Sequence, residues 1–181
     1  MKQYLILFST TDGHTFDICN RIKKVIEKQD NIQVDLGLLP DNMDIDINKY
    51  DKVILGASIR YGKHNPEVYT FIENHLSDLE KIDNAFFSVN VVARKPEKNT
   101  PETNPYMVKF LNQIDWKPKK LAVFGGRLEY PKYSFWDRTM IRLIMWMTKG
   151  PTARNTIIEY TDWEKVDVFA KELSSRPDFV A

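Results

Sequence analysis

The sequence predicts an α/β domain in which a parallel β-sheet is covered by helices on both faces. Short apolar runs alternate with amphipathic segments along the chain, which is the pattern of repeated β-α-β units. Runs such as VILGA at 53–57 are apolar at nearly every position, as in strands buried on both faces. The length of 181 residues suits one domain with a sizeable core, so we treat 1–181 as a single domain.

The first half of the chain alternates continuous apolar runs with segments whose apolar residues recur at helical spacing. The second run is more polar than the others, which places its strand near an edge of the sheet. Asn65 and Pro66 suit the cap and the first turn of a helix. Residues 41–49 fit neither pattern. We expect strands at 4–8, 32–36 and 53–57 and helices at 15–28 and 65–75.

The second half continues this alternation and then interrupts it. Asn104 and Pro105 again suit the start of a helix, while Thr161, Asp162 and Glu164 form a capping box for a last helix. Residues 127–155 are longer than the loops that usually join such elements, which indicates an insertion. We expect strands at 85–93, 121–124 and 157–160 and helices at 103–113 and 161–173.

The composition argues against several classes of protein. The formal charge is +1, whereas a protein that binds nucleic acid is usually more basic. The single cysteine, Cys19, excludes an internal disulfide and a cysteine-based metal site, and no other metal-ligand spacing stands out. No apolar run reaches the ~20 residues of a membrane-spanning helix, and the N-terminal run is too short for a signal peptide. We therefore expect a cytoplasmic protein without a metal.

The turn between the first strand and the first helix is typical of an anion-binding site. It is rich in hydroxyls and places backbone N–H groups at a helix N-terminus, where the helix dipole favours negative charge. It has too few glycines for a dinucleotide turn and no lysine for a Walker A loop, so a phosphate monoester suits it better. A well-capped helix without a ligand is the alternative. The residues are Ser9, Thr10, Thr11, Asp12, Gly13, His14 and Thr15.

Two later loops suit a flat heteroaromatic ring. Ligands of doubly wound sheets bind at the carboxyl ends of the strands, and these loops follow the third and fourth strands. Tyr61 can stack on a ring, and loop N–H groups can bond to its carbonyls and nitrogens. The first loop comprises Ala57, Ser58, Ile59, Arg60, Tyr61 and Gly62, and the second comprises Ser88, Val89, Asn90, Val91, Val92, Ala93 and Arg94.

The chain resembles the flavodoxin-like family over nearly its whole length, in its strand order, its STTDGHT turn and these two loops. The resemblance implies a doubly wound parallel sheet of five strands with a long insertion in the region of the fifth strand. It also implies that FMN is the cofactor and that the turn and both loops bind it. Asp12 departs from the family, which usually has threonine before the glycine of the turn. Since a carboxylate repels phosphate, we expect Asp12 to point away and to cap the helix.

Within that family, the chain is similar to the bacterial quinone-dependent protoporphyrinogen IX dehydrogenases. The similarity implies FMN-dependent oxidation of protoporphyrinogen IX, the penultimate step of haem synthesis, with electrons passed to menaquinone or ubiquinone. It also implies a peripheral location on the cytoplasmic side of the inner membrane, and it identifies no catalytic side chain. The matching strings are GASIRYG at 56–62, FSVNVVARKPEKNTPETN at 87–104, WDRTMIRLIMWM at 136–147 and YTDWE at 160–164.

The residues of the insertion agree with contact to a membrane surface. Segment 127–149 holds five basic and two acidic residues, and 135–148 has the spacing of an amphipathic helix. Such a helix is too short to span a bilayer but can lie in an anionic one. Packing on the domain or on a second subunit of a homo-oligomer is the alternative. The apolar face comprises Trp136, Met140, Leu143, Ile144 and Met147.

Basic residues near the loops are candidates for binding the propionates of the substrate, because guanidinium and ammonium groups pair with carboxylates. Each of them could instead be a solvated surface charge. His64 could move a proton or serve only the start of a helix, while His14 belongs to the phosphate turn. The candidates for the propionates are Arg60, Lys63, Arg94, Lys95 and Arg127.

Three other functions stay open at this point. The chain could be a flavodoxin-like electron carrier, although such carriers are usually strongly acidic. It could be an NAD(P)H:quinone reductase on the same scaffold, although no second nucleotide-binding turn is evident. It could also be a flavin-free α/β domain whose insertion binds a partner.

Overall fold

The computed structural model describes residues 1–29, 31–129, 135–147 and 157–175, and within 135–147 the side chains of 139–143, 145 and 146. The strands are β1 (Lys2–Ser9), β2 (Ile32–Leu38), β3 (Lys52–Ser58), β4 (Asp83–Val89), β5 (Lys120–Phe124), β6 (Arg127–Glu129) and β7 (Ile157–Glu159). The helices are α1 (His14–Ile26), α2 (Pro66–Lys81), α3 (Pro105–Leu111), α4 (Phe135–Met147) and α5 (Trp163–Ser174).

The first five strands form one parallel sheet in the order β2-β1-β3-β4-β5. The prediction of a doubly wound five-stranded sheet is therefore confirmed. The more polar strand β2 lies at an edge, as its sequence indicates. Strand β2 lies on one side of β1, and the chain then crosses to the other side of β1 to form β3. The carboxyl ends of β1 and β3 therefore flank the switch point at which such folds bind ligands.

The sheet is buried on both faces because successive side chains of a strand point to opposite sides. On one face Ile6 and Phe8 of β1 pack with apolar residues of α1 and α5, including Cys19, whose thiol pKa is raised by burial. On the other face Leu5 and Leu7 pack with the residues of α2 and α3 and with Trp116. Helices on both faces thus account for the nearly continuous apolar runs of β1, β3 and β4.

Several predicted boundaries are wrong for identifiable reasons. The strand predicted at 85–93 ends at Val89, because residues Val91–Arg94 form a 3₁₀ turn that is capped by the side chain of Asn90. The helix predicted to end near 75 continues to Lys81. Segment 41–49, which the sequence left unassigned, includes the end of one 3₁₀ turn, Leu39–Asn42, and all of another, Ile47–Lys49.

Of the caps predicted at the starts of α5 and α3, one is wrong and one is confirmed. Asp162 alone caps α5, accepting bonds from the N–H groups of Glu164 and Lys165, so the capping box predicted for Thr161 is wrong. The hydroxyl of Thr161 instead donates to the carbonyl of Gly125. Asn104 does cap α3 through its side chain, as predicted.

The region after β5 builds a second, smaller sheet. Strands β6 and β7 pair antiparallel, so the strand predicted at 157–160 lies outside the main sheet. Helix α4 stands between them in sequence and packs through Met145 against Leu128 of β6. The rest of the proposed insertion, 130–134 and 148–155, lies outside the described residues. None of the helices that the structure describes is long and apolar enough to cross a membrane.

Candidate functional site

A cleft of about 500 Å³ lies at the carboxyl ends of the central strands, where the three predicted segments meet. The turn after β1 and the loops after β3 and β4 form its walls, although they are far apart in sequence. The lining residues are Thr10, Thr11, Asp12, His14, Thr15, Ser58, Ile59, Arg60, Tyr61, Gly62, Val89, Asn90, Val91, Val92, Arg94, Tyr106, Gly126, Arg127, Leu128, Met140, Ile141 and Met145.

The turn at 9–15 is shaped by its glycine and leads straight into α1. Gly13 has φ 82°, a left-handed conformation that glycine adopts without strain, and its N–H donates to Thr10 Oγ1 over 3.0 Å. Thr15, in the first turn of α1, is buried, and its Oγ1 has no hydrogen-bond partner among the described residues. Because the first N–H groups of a helix also lack intrahelical partners, this end of the cleft is rich in unused donors.

Two residues of the turn point away from that end. Ser9 is buried, its Oγ donates to Glu67 Oε1 over 2.8 Å, and Asn65 Nδ2 donates to it over 2.8 Å. Ser9 therefore ties the turn to α2 and does not line the cleft. Asp12 Oδ2 accepts from Arg60 Nη1 over 3.1 Å, so the carboxylate is drawn to the neighbouring loop and does not cap the helix. The expectation that Asp12 caps α1 is wrong.

The loop after β3 presents Tyr61 at the tip of a tight hairpin. The backbones of Arg60 and Lys63 form an antiparallel bridge, in which the N–H of each donates to the carbonyl of the other. Both residues between them have positive φ, 50° for Tyr61 and 78° for Gly62. This is the geometry of a type I′ turn, which is costly for a tyrosine. The ring is 60% exposed and lines the cleft, with the Arg60 guanidinium 5.4 Å from its centroid. A strained, exposed aromatic residue at a cavity wall is suited to stacking on a ligand.

The loop after β4 is held from behind by buried amides. Asn90 Oδ1 accepts from the N–H of Ala93, and Asn104 Nδ2 donates to the same oxygen over 3.1 Å. Ser88 and Ala93 are buried under the loop and do not line the cleft, whereas Val91, Val92 and Arg94 do.

Most of the predicted cofactor-binding residues line the cleft, and five do not. The five are Ser9, Gly13, Ala57, Ser88 and Ala93, which form the backing of the turn and loops. The sequence missed a further group that lines the cleft: Tyr106, Gly126, Leu128, Ile141 and Met145, while Met140 was assigned to the membrane alone. The spacing of Ile141 and Met145, one helical turn apart, was the available signal for an inward face of α4.

His14 is fixed by β7 and the start of α5. Its Nε2 lies 2.6 Å from Thr161 Oγ1 and 3.2 Å from Glu159 Oε1. Since Thr161 donates its proton to Gly125, Nε2 is the donor, and neutral His14 carries its proton there. Burial lowers the pKa of His14, opposed by the nearby Glu159 carboxylate. The neutral ring therefore offers no side-chain donor to an anion, and only the backbone N–H of His14 is suited to phosphate.

His64 does not line the cleft. Its Nδ1 lies 3.2 Å from the carbonyl of Ser58, and its ring packs edge-on against Phe86 and Phe110. Burial lowers the pKa of His64 to about 4, so the ring is neutral at physiological pH. The structure supports a role in holding the start of the Tyr61 hairpin, whereas the structural alternative offered by the sequence was the start of a helix.

The basic candidates differ in position. Arg60, Arg94 and Arg127 line the cleft, whereas Lys63 and Lys95 do not. Arg94 Nη1 donates to the carbonyl of Val91 over 3.0 Å, and its guanidinium lies 5.9 Å from the centroid of the Tyr160 ring. Arg127 Nη2 lies 2.9 Å from Glu129 Oε2 and its Nη1 lies 3.8 Å from Asp17 Oδ2, so it is engaged by carboxylates at the α1 end of the cleft.

Helix α4 has an inward and an outward apolar surface among its described side chains. Ile141 and Met145 pack toward Leu128 and the cleft. Met140, Leu143 and Trp146 are 47%, 49% and 71% exposed. Of the predicted membrane-contact residues, Met140 and Leu143 are thus exposed, while the side chains of Trp136, Ile144 and Met147 lie outside the described residues.

The strand order and the cleft at the carboxyl ends of β1, β3 and β4 define a flavodoxin-like protein. A family model described as a flavodoxin domain matches residues 5–155. A flavodoxin from the domain Archaea shares the fold, with a TM-score of 0.52 and 12% identity over 95% of this chain and 96% of that one.

The relatives at higher identity are more specific. Protoporphyrinogen IX dehydrogenase (quinone) of Escherichia coli strain K12 is 44% identical over 174 residues, which is 96% of each chain. The protein of the same name from Leishmania major is 43% identical over 96% of this chain and 75% of that one. With such identity over nearly its whole length, the chain belongs to the family of the quinone-dependent protoporphyrinogen IX dehydrogenases.

Proposed function

We propose that this chain oxidises protoporphyrinogen IX with FMN as its cofactor and passes the electrons to a membrane quinone, menaquinone or ubiquinone. The observation that carries the proposal is the meeting of the turn at 9–15 with the loops at 57–62 and 88–94 on one cleft of about 500 Å³. That volume lies within the roughly 300–1,000 Å³ of cofactor pockets. Relatives that carry the name of this reaction match the chain across the same segments.

The chemistry of the cleft fits FMN. The start of α1 and Thr15 Oγ1 supply donors for a phosphate monoester, and Ser58 Oγ is a second buried hydroxyl without a partner in the described part of the chain. Tyr61, Val91 and Val92 offer aromatic and apolar surface for the ring. When bound there, FMN supplies hydride acceptance from the porphyrinogen and electron delivery to the quinone.

The arginines on the ring side of the cleft are suited to the propionates of the substrate. Arg94 is half-buried and held by the carbonyl of Val91, so its guanidinium is already oriented when a carboxylate arrives. Arg60 projects beside Tyr61 and is paired with Asp12, which keeps that carboxylate away from an incoming anion. Lys63 and Lys95 lie outside the cleft and are suited at most to steering an anionic substrate toward it.

The outward side of α4 is suited to a membrane surface. Leu143 and Trp146 are large apolar side chains exposed beside a cleft whose proposed electron acceptor dissolves only in lipid. An amphipathic helix with aromatic and aliphatic side chains binds in the interfacial layer of a bilayer. We therefore place the protein peripherally on the cytoplasmic side of the inner membrane, with 127–155 in contact with it.

The reaction is tested by mixing the purified protein with FMN, protoporphyrinogen IX and a menaquinone analogue under anaerobic conditions. The expected result is growth of porphyrin fluorescence that requires both FMN and the quinone. A parallel mixture contains NADH in place of protoporphyrinogen IX. Oxidation of NADH by the quinone there, with no porphyrin formed in the first mixture, would instead favour the reductase. A purified protein that releases no flavin on denaturation and does not bind added FMN would overturn the proposal.

The membrane contact is tested separately by sedimentation with anionic vesicles. The double variant Leu143→Glu, Trp146→Glu is expected to bind at least about tenfold more weakly, because charge replaces buried apolar area in the interface. Val168→Glu is the matched control, since Val168 is similarly exposed but lies on α5. Equal binding of the double variant and the wild type would exclude α4 as the contact.

A further inference from the structure

We infer that Asn104, 14 residues away from Asn90 in sequence, is a positioning residue that sets the ring-facing loop of the cleft. The inference rests on the proposed binding of flavin in this cleft. Asn104 is fully buried and does not line the cavity, so it acts through other residues. Those residues are the loop after β4 and Tyr106, which both line the cleft.

The side-chain amide of Asn104 joins three segments at once. Its Oδ1 accepts from the N–H groups of Tyr106 and Met107 over 3.2 Å each, which caps α3. Its Nδ2 donates to Asn90 Oδ1 over 3.1 Å and to the carbonyl of Lys98 over 2.8 Å. Asn104 Oδ1 also accepts from Asn90 Nδ2 over 3.4 Å, so reciprocal bonds join the two side-chain amides. The acceptor of Asn104 therefore serves both the helix and the loop, whereas its donor serves the loop alone.

The side chain of Asn90 connects Asn104 to the loop after β4 and fixes the conformation of that loop. Its Oδ1 also accepts from the N–H of Ala93, and its Nδ2 lies 3.3 Å from Ser88 Oγ. Its own backbone N–H donates to Phe124 at the end of β5. The 3₁₀ turn Val91–Arg94 is thus closed by a side chain whose orientation depends on Asn104. Loss of the Asn104 donor leaves a buried acceptor with fewer partners, and such an acceptor tends to move toward another donor.

The affected wall is the ring side of the cleft and not the phosphate side. Val91, Val92 and Arg94 follow directly from Asn90, and Tyr106 follows the cap of α3. In the described part of the chain, no hydrogen bond joins Asn104 to Thr15 or to the start of α1. A shift in this wall should therefore change contacts with the isoalloxazine ring and leave contacts with the phosphate intact.

The test uses Asn104→Ser, because serine caps a helix about as well as asparagine but is too short to reach Asn90. Asn84→Ser is the matched control. Asn84 is an equally buried amide at the opposite end of the sheet, where it donates to the carbonyl of Leu79 and accepts from the N–H of Lys119. Both variants remove the same atoms, so both should lose stability, and only Asn104→Ser changes the cleft.

Three quantities are measured on each full-length variant: the dissociation constants of FMN and of riboflavin, and the midpoint potential of the bound flavin. For Asn104→Ser both dissociation constants are expected to rise about tenfold, with their ratio unchanged. The midpoint potential is expected to shift, because the variant should weaken the binding of oxidised and reduced flavin unequally. A tenfold difference between the two changes in dissociation constant corresponds to about 30 mV. Asn84→Ser is expected to keep the wild-type constants and potential.

Two results would overturn the assignment. Wild-type affinities and potential in Asn104→Ser would show that the amide only caps α3. Equal changes in Asn104→Ser and Asn84→Ser would show a general loss of stability. Failure of the wild-type protein itself to bind FMN is a different outcome, which refutes the proposed function and not the role of Asn104 in the loop.

Discussion

Replacement of Thr15 by valine should weaken FMN binding without weakening the fold. Thr15 Oγ1 is buried in the cleft without a hydrogen-bond partner among the described residues, and valine has nearly the same shape. A hydrogen bond to a charged group contributes ~1.5–3 kcal/mol, so the dissociation constant of FMN should rise about 10- to 150-fold. The free energy of unfolding without flavin should not fall, because a buried polar atom without a partner is removed.

The assay is quenching of flavin fluorescence, with FMN and riboflavin titrated into wild type, Thr15→Val and Thr15→Ser. Riboflavin lacks the phosphate, so Thr15→Val should bind it as the wild type does, and Thr15→Ser should keep most of the affinity for FMN. Thermal unfolding of the flavin-free proteins supplies the stability comparison. Equal loss of FMN and riboflavin affinity, or a clearly destabilised apoprotein, would refute the placement of phosphate at the start of α1.

Three further predictions concern the other walls of the cleft. Tyr61→Gly should raise the free energy of unfolding of the apoprotein by about 1 kcal/mol, since glycine adopts φ 50° without strain. The same variant should bind FMN more weakly, because stacking on the tyrosine ring is lost. Denaturant-induced unfolding measures the first effect, and flavin titration measures the second. The pKa of His64 falls from ~6.5 to about 4 on folding. As the pH is lowered between those values, the free energy of unfolding should therefore fall by about 1 kcal/mol per pH unit through this residue. His64→Gln should lose this contribution to the pH dependence of stability. Arg94→Ala should raise the KM for protoporphyrinogen IX while FMN stays bound, and an unchanged KM would remove Arg94 from the substrate site.

The parts of the fold set by local pattern could be predicted from the sequence. The strands β1, β3 and β4 follow from apolar runs, and the turn at 9–15 with the helix after it follows from hydroxyl-rich residues next to an amphipathic segment. The features that could not be predicted depend on contacts with residues that are distant in sequence. Thr161 sits where a capping box requires it, but the carbonyl of Gly125 and the ring of His14 engage its hydroxyl instead.

The same reason explains the errors in the candidate site. Ser9 belongs to a turn of phosphate-binding type, yet the nearby Glu67 and Asn65 bind its hydroxyl, and both lie more than 50 residues away in sequence. Asp12 is paired with Arg60 of the neighbouring loop, 48 residues away in sequence, which no local pattern indicates. The link between Asn90 and Asn104 spans two elements in the same way. Side chains that choose partners across the fold leave no periodic signal in the sequence.

Helix α4 links the cleft to the proposed membrane surface through a short path. Met140 both lines the cavity and is 47% exposed, while Leu143 on the next turn is exposed and Ile141 faces inward. Under the proposed function, a lipid-soluble quinone could then pass from the bilayer to the cleft along one helix without crossing water.

We therefore expect quinone embedded in anionic vesicles to be reduced faster than the same quinone in neutral detergent micelles. The double variant Leu143→Glu, Trp146→Glu should lose that advantage and keep wild-type rates in detergent, as stopped-flow oxidation of reduced flavin would reveal. An equal advantage in wild type and variant would mean that quinone reaches the cleft by another route.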